Sequence, residues 1–298
     1  LSKDSNVLHF YFSEARDRLK QIREEQSRSS REVVDIWEQF LSYFSDKLGN
    51  DVWPVYEQVC IAACDCGEIS LAHRCVRELN RQFPKSFRVK GLEGMVLEAN
   101  QRYDTAEHLY KTILQDDPTN SVAEKRLVVI YKSQNKIKEA ITELRKYLDS
   151  HMADTDSWLE LSDLYLSQMD YAHAAFCLEE LILANPHYHL FHQRYAEIRY
   201  TQGGTENLLE ARAYFSQAIK LNPNNIRALY GLFLCASNLA TKQRSAESKN
   251  MKYAAWAAEQ ISQLYRKLGG RGTKSSSDST EQIKALGGMF DKLQLTSS

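Results

Sequence analysis

Three prolines set the phase of this chain. Pro84 and Pro118 stand 34 residues apart, and Pro186 follows 68 further on, twice that interval, with the missing middle position falling at Met152. Small residues keep the same phase, since Ala72, Ala106, Ala140 and Ala174 are each 34 apart. Large residues recur around them: Tyr56, Val59, Val76 and Leu79; Leu97, Tyr110 and Ile113; Leu127, Tyr131, Leu144 and Tyr147; Trp158, Leu161, Tyr165, Leu178 and Leu181. Such a unit suits two antiparallel helices. The alanine on the second helix lets neighbours approach, and proline stops that helix because it lacks an N–H and disfavours a helical residue before it. A unit of this size cannot bury its apolar face alone, so neighbouring units must stack.

The period and its pattern are those of the tetratricopeptide repeat. The expected fold is therefore all-α, a right-handed tetratricopeptide-repeat solenoid with N-terminal capping helices and a flexible C-terminal tail. Residues 1–50 are expected to form the capping helices, over 10–25 and 31–47, the second opened by the capping-box pattern Ser29-Ser30-Arg31-Glu32. Residues 51–268 are expected to hold five to six helix pairs. In the fifth unit Ala211, Phe215, Ala218 and Pro223 fit, but Pro223 lies 37 beyond Pro186, which places an insertion near Thr201-Gln202-Gly203-Gly204-Thr205. A sixth unit starts at Ile226, with a polar stretch at 241–249 before its second helix. Residues 269–298 read as a Gly/Ser-rich linker and a short helix with Ile283, Leu286, Phe290 and Leu293 on one side.

Composition narrows the class. Lys and Arg total 38 against 39 Asp and Glu, a net charge of -1, which argues against a general nucleic-acid binder. No apolar run reaches the roughly 18 residues a transmembrane helix needs, so no membrane span is expected. Leu1-Ser2-Lys3-Asp4-Ser5 lacks the pattern of a secretory signal. Cys60, Cys64, Cys66 and Cys75 cluster while Cys177 and Cys235 stand alone, which fits a reducing compartment better than a disulfide framework.

Candidate chemistry is sparse. The cysteine cluster has no paired C-x-x-C knuckles, and small buried thiols explain it better than zinc. His187, His189 and His192 straddle a loop and a helix start, so they define no common face for a metal. Neither nucleotide-binding nor hydrolase motifs are found, so no enzyme and no cofactor are expected. Binding remains. The first helix of each pair lines the inner surface of such an array. In phase with the prolines this gives Val122, Lys125, Arg126 and Val129, then Asp156, Leu159, Glu160 and Asp163, then Gln193, Arg194 and Glu197 as partner-binding candidates. A known subclass of these repeats grips chaperone C-termini through Lys and Asn in its first unit. Here Glu57 and Ile61 stand at those places, which counts against a free cytosolic co-chaperone adaptor for linear peptides, the alternative reading.

Seven further stretches stand out: Tyr56-Glu57-Gln58-Val59, Arg81-Gln82-Phe83-Pro84, Gln115-Asp116-Asp117-Pro118-Thr119-Asn120, Ala174 to Leu181, Asn185-Pro186-His187, Tyr200-Thr201-Gln202-Gly203-Gly204 and Asn250 to Ala258. Together they resemble one family, subunit 2 of the endoplasmic-reticulum membrane protein complex. The Thr-Gln-Gly-Gly and Asn-Met-Lys-Tyr-Ala segments are not general repeat features. The resemblance implies a peripheral subunit on the cytosolic face of the endoplasmic reticulum. It would scaffold an insertase for tail-anchored and multi-pass proteins by holding the cytosolic ends of membrane subunits and a soluble partner subunit. It also implies that Lys125 and Arg126 match basic residues of the family.

Overall fold

The computed structural model describes residues 2–242 and 247–269, together with Gly288. Among the described residues the chain is helical and has no strand. It divides into two compact units, Leu1–Tyr147 and Leu148–Ser298.

The first unit opens with α1 (Ser2–Glu24) and α2 (Ser30–Gln39), then a 3-10 segment, Leu41–Asp51. It continues as helix pairs: α3 (Val52–Cys66) with α4 (Ile69–Gln82), α5 (Phe87–Ala99) with α6 (Tyr103–Asp116), and α7 (Ser121–Ser133) with α8 (Ile137–Ser150), whose end passes into the second unit. The second unit pairs α9 (Thr155–Ser167) with α10 (Tyr171–Ala184), α11 (His189–Gln202) with α12 (Thr205–Leu221), and α13 (Ile226–Lys242) with α14 (Glu247–Gly269). The residues placed in phase by sequence carry the packing. Ala72, Ala106, Ala140, Ala174 and Ala211 are all 0% exposed on the second helices.

The turns inside the five pairs from α3–α4 to α11–α12 keep the same period. Gly67, Gln101, Asn135, Met169 and Gly203 have positive φ, between 58° and 78°, and lie 34 residues apart. At the first four this is the left-handed cap that closes a helix, whereas Gly203, with ψ -169°, combines positive φ with an extended ψ that glycine alone adopts readily. Behind Gly67 the Glu68 N–H reaches back to Ala63 O at 2.8 Å, and Arg102, Lys136 and Asp170 repeat that bond to Leu97, Tyr131 and Tyr165 at 2.9, 2.8 and 3.0 Å. Where the next pair begins, side chains cap its first helix: Asn120 accepts from the Ala123 N–H of α7 at 3.1 Å, and Asp154 from that of Ser157 of α9 at 3.2 Å. Such caps contribute about 1 kcal/mol each. The proline-free loop at Met152 is closed differently, by the Trp158 indole N–H donating to Met152 O at 2.9 Å.

The N-terminal region departs from expectation. The α-helix stops at Gln39, not near 47, because Phe40 leaves helical geometry (φ -140°, ψ -61°) and the chain kinks again at Phe44 and Gly49. The kinked path buries Leu41 and Leu48 while Tyr43 stays 77% exposed. Ser29 is the N-cap as expected, yet its side chain caps no N–H and pairs with Ser27 Oγ at 2.9 Å instead. In the fifth unit the loop between α11 and α12 is only Gly203-Gly204 and stays in phase; the three extra residues expected there instead lengthen α12, which has 17 residues against 14 in α10, and the sixth unit starts at Ile226 as read. The apolar stripe Ile283, Leu286, Phe290 and Leu293 and the linker before it lie outside the described residues.

Candidate functional site

The candidate residues sit on first helices in both units. On α7, Val122 is 61% exposed, Lys125 and Val129 are exposed, and Arg126 is half-buried. The Lys125 ammonium lies over the Tyr147 ring, 5.1 Å from its centroid. Arg126 donates to Glu98 of α5 at 3.4 Å, and the Glu98 carboxylate also accepts from Tyr110 Oη at 2.6 Å. Burial holds the Glu98 carboxyl above the usual range, opposed by those two partners. Beside them lies a cleft of about 560 Å³ whose wall includes Ile61, Phe87, Leu92, Met95, Val122 and Arg126. Glu57, at the mouth of this cleft, is tied to Arg88 Nε at 2.7 Å. A carboxylate so paired cannot receive a peptide carboxylate as a lysine would.

On α9, Asp156 and Asp163 are exposed, and Leu159 and Glu160 are half-buried. On α11, Gln193 is only 4% exposed, which sets it apart from the other candidates. Its amide donates to Glu197 at 2.9 Å. Arg194 reaches Asp163 at 2.8 Å, and Arg227 of α13 reaches Glu197 at 3.1 Å. Gln193, Arg194, Glu197 and Arg227 border a cleft of about 800 Å³ in the second unit that also takes in His189 and Asn225. The imidazole nitrogens of His189 stand 3.0 Å from the side-chain amides of Asn222 and Asn225. His192 is buried and directs Nε2 at Pro186 O, 2.8 Å away, so it acts as a structural donor at the loop.

The pattern that sequence reasoning missed is a ladder of rungs between successive first helices, Arg88 to Glu57 and Arg126 to Glu98 in the first unit, Arg194 to Asp163 and Arg227 to Glu197 in the second. Opposite charges some 30 residues apart on first helices were the available signal. The more exposed of these pairs, such as Arg194 with Asp163, contribute roughly 0–1 kcal/mol each, so their effect is mostly to set which side chains the surface offers.

The thiols are packing groups. Cys60 is fully buried and donates to Ala72 O at 3.8 Å. Its hydrogen bond with Cys64 and its burial keep it protonated, while the same bond lowers Cys64. Burial pushes Cys75 up to about 12 and does the same to Cys235. Among the described residues no group of three or more His, Cys, Asp and Glu is placed to hold a metal ion, and no helix is long and apolar enough to cross a membrane.

The geometry is that of a helical-repeat surface with mixed charge and apolar clefts, and comparison with known proteins assigns it. ER membrane protein complex subunit 2-A from Xenopus laevis is 47% identical over 301 aligned residues, spanning 100% of both chains. The chain belongs to the ER membrane protein complex subunit 2 family. The family's description as an EMC2 TPR-like repeat domain matches residues 79–221, from α4 to the end of α12. A more distant member, ER membrane protein complex subunit 2 from Dictyostelium discoideum, is 29% identical over 282 residues, covering 90% of this chain and 86% of its own. Among solved structures, the C-terminal part of a TPR repeat-containing protein from Cytophaga hutchinsonii superposes with a TM-score of 0.59 at 13% identity, over 84% of this chain and 95% of that one. At that identity the likeness supports the tetratricopeptide-repeat fold of this subunit 2 family member and nothing further.

Proposed function

We propose that this chain is a non-catalytic scaffold subunit of an endoplasmic-reticulum membrane protein complex that inserts tail-anchored and multi-pass proteins. It works from the cytosolic face, attached peripherally through partner subunits. It holds the cytosolic ends of membrane-embedded subunits together and binds a soluble subunit. The observation that carries this reading is the full-length likeness to ER membrane protein complex subunit 2-A. The exposed first-helix side chains Val122, Lys125 and Val129, and the paired charges at Asp163, Arg194, Glu197 and Arg227, supply the kind of mixed surface such holding needs.

The test is affinity purification of the full chain from detergent-solubilised membranes. Multi-spanning endoplasmic-reticulum proteins should co-purify in stoichiometric amounts. Lys125→Glu should reduce their recovery several-fold without changing the fold, because an exposed cation contributes little stability. Recovery free of membrane proteins, with chaperones in their place, would sink the scaffold reading and restore the peptide-adaptor alternative.

A further inference from the structure

The second helices share a register, and one of them departs from its chemistry. Two residues beyond the phased alanine stand Arg74 on α4, His108 on α6, Thr142 on α8 and Ala213 on α12, all exposed. On α10 that place holds Phe176, 52% exposed. Seven residues further on, Arg81, Gln115, Asp149 and Lys220 are exposed in the same way, and α10 places Leu183 there, 77% exposed. The two apolar side chains lie on one face of α10, two turns and roughly 10 Å apart along the helix. The Trp158 ring of α9 meets the Phe176 ring edge-on, with centroids 6.3 Å apart. Its indole N–H is bonded to Met152 O, and the Met152 side chain is exposed. Large apolar side chains gathered at a surface in this way mark an interaction site.

The charges on this stripe select what it accepts. Glu179 is committed, accepting from Tyr195 Oη at 2.8 Å and from Arg199 at 3.1 Å. His173 is tied to Asp170 at 2.7 Å. Glu180, one turn beyond Phe176 and half-exposed, has no hydrogen-bond or ionic partner among the described residues. We propose that the outer face of α10 docks an amphipathic α-helix of a partner protein, one that carries large apolar side chains seven residues apart and a lysine or arginine between them. Apolar residues at that spacing share a face of a helix laid along α10, and the cation between them meets the free Glu180 carboxylate. A second copy of this chain fits worse, because a two-fold pairing of α10 with itself brings two Glu180 carboxylates towards each other. An anionic lipid surface is repelled by the same carboxylate. The stripe lies on a second helix, whereas the partner-binding candidates of the scaffold reading lie on first helices, so this docking site goes beyond that reading and does not rest on it.

A phage-displayed library of helical peptides, panned on the full chain, tests the proposal. Enriched peptides should carry apolar residues seven apart with Lys or Arg between them. Their affinity, measured by fluorescence anisotropy, should fall roughly 30-fold in Phe176→Ala, the loss expected of an aromatic anchor. Leu183→Asp should weaken binding comparably and leave the fold intact, because that side chain already faces solvent. Glu180→Lys should shift preference to peptides with Glu in place of the basic residue. Absence of enrichment would overturn the proposal, as would peptides that bind Leu183→Asp as tightly as the wild type or that need no basic residue. Concentration-dependent dimerisation abolished by Leu183→Asp would overturn it too, assigning the stripe to a second copy.

Discussion

Two glycines of α5 should respond to the same substitution with opposite sign. Gly91 and Gly94 lie one turn apart in Phe87–Ala99. Replacing a helical glycine with alanine stabilises by about 0.8–1 kcal/mol through backbone entropy alone. At Gly91 nothing lies within 4 Å of the added methyl, so Gly91→Ala should gain close to that amount. At Gly94 the methyl would run into the ring and hydroxyl of Tyr110. That ring has little freedom to move, because Tyr110 is 0% exposed and its hydroxyl donates to Glu98 at 2.6 Å. Overpacking of this kind costs about 1–3 kcal/mol, and a pinned ring on rigid helix backbone places it near 3. Set against the entropy gain, Gly94→Ala should lose about 2 kcal/mol. The helix-propensity contribution is common to both variants, so their difference, about 3 kcal/mol, isolates the packing. Urea unfolding followed by circular dichroism would read it as midpoints displaced to opposite sides of the wild type. In a thermal melt each kcal/mol is worth about 2–4 °C for a unit of this size. A Gly94→Ala variant as stable as Gly91→Ala would refute the claim that glycine is there to admit Tyr110.

Asp65 provides a pH test. Its carboxyl is held below the usual range by the hydrogen bond from Arg28, 2.6 Å away, with a further one from Ser30. A depressed folded value means the stabilisation is present above the ordinary aspartate pKa of about 3.9 and is lost as pH falls through the folded value. Asp65→Asn should therefore lower the unfolding midpoint at pH 7 and converge with the wild type in acid. A constant offset across the range would show that packing, not charge, is lost. Ala174→Trp should overpack the α9–α10 pair, since Ala174 is 0% exposed, and cost about 1–3 kcal/mol or more; an unchanged melt would refute the repeat phase itself. Joint reversal of Lys125 and Arg126 would not test partner capture cleanly, because Arg126 is bonded to the half-buried Glu98 and an acidic residue there would set two carboxylates together.

The repeat was readable from sequence because it depends on short-range rules. Proline ends helices wherever it falls, and a small residue every 34 positions is required by the close approach of neighbouring helices, so Ala72, Ala106, Ala140 and Ala174 declare the phase without any coordinates. The left-handed turns share that phase, but only Gly67 and Asn135 advertise it. Gln101 and Met169 adopt the same φ because the surrounding helices impose it, against their own preference. The N-terminal kink at Phe40 was hidden for the converse reason. Apolar residues there satisfy a helical pattern locally, and the breaks in the backbone at Phe40, Phe44 and Gly49 leave no mark on that spacing.

The candidate surface divides the same way. The sequence by itself determined which helix carries each side chain, since a period fixes position along the repeat. Tertiary structure alone decided what each side chain is free to do. Gln193, in phase with exposed neighbours, is buried against Glu197; Arg126 is committed to Glu98; Glu57 is neutralised by Arg88. Each of these outcomes rests on a partner about 30 residues away or one turn along, at a distance set by how the helices stack. A periodic sequence specifies the stacking, but the ion pairs that stacking completes appear only once the helices are side by side.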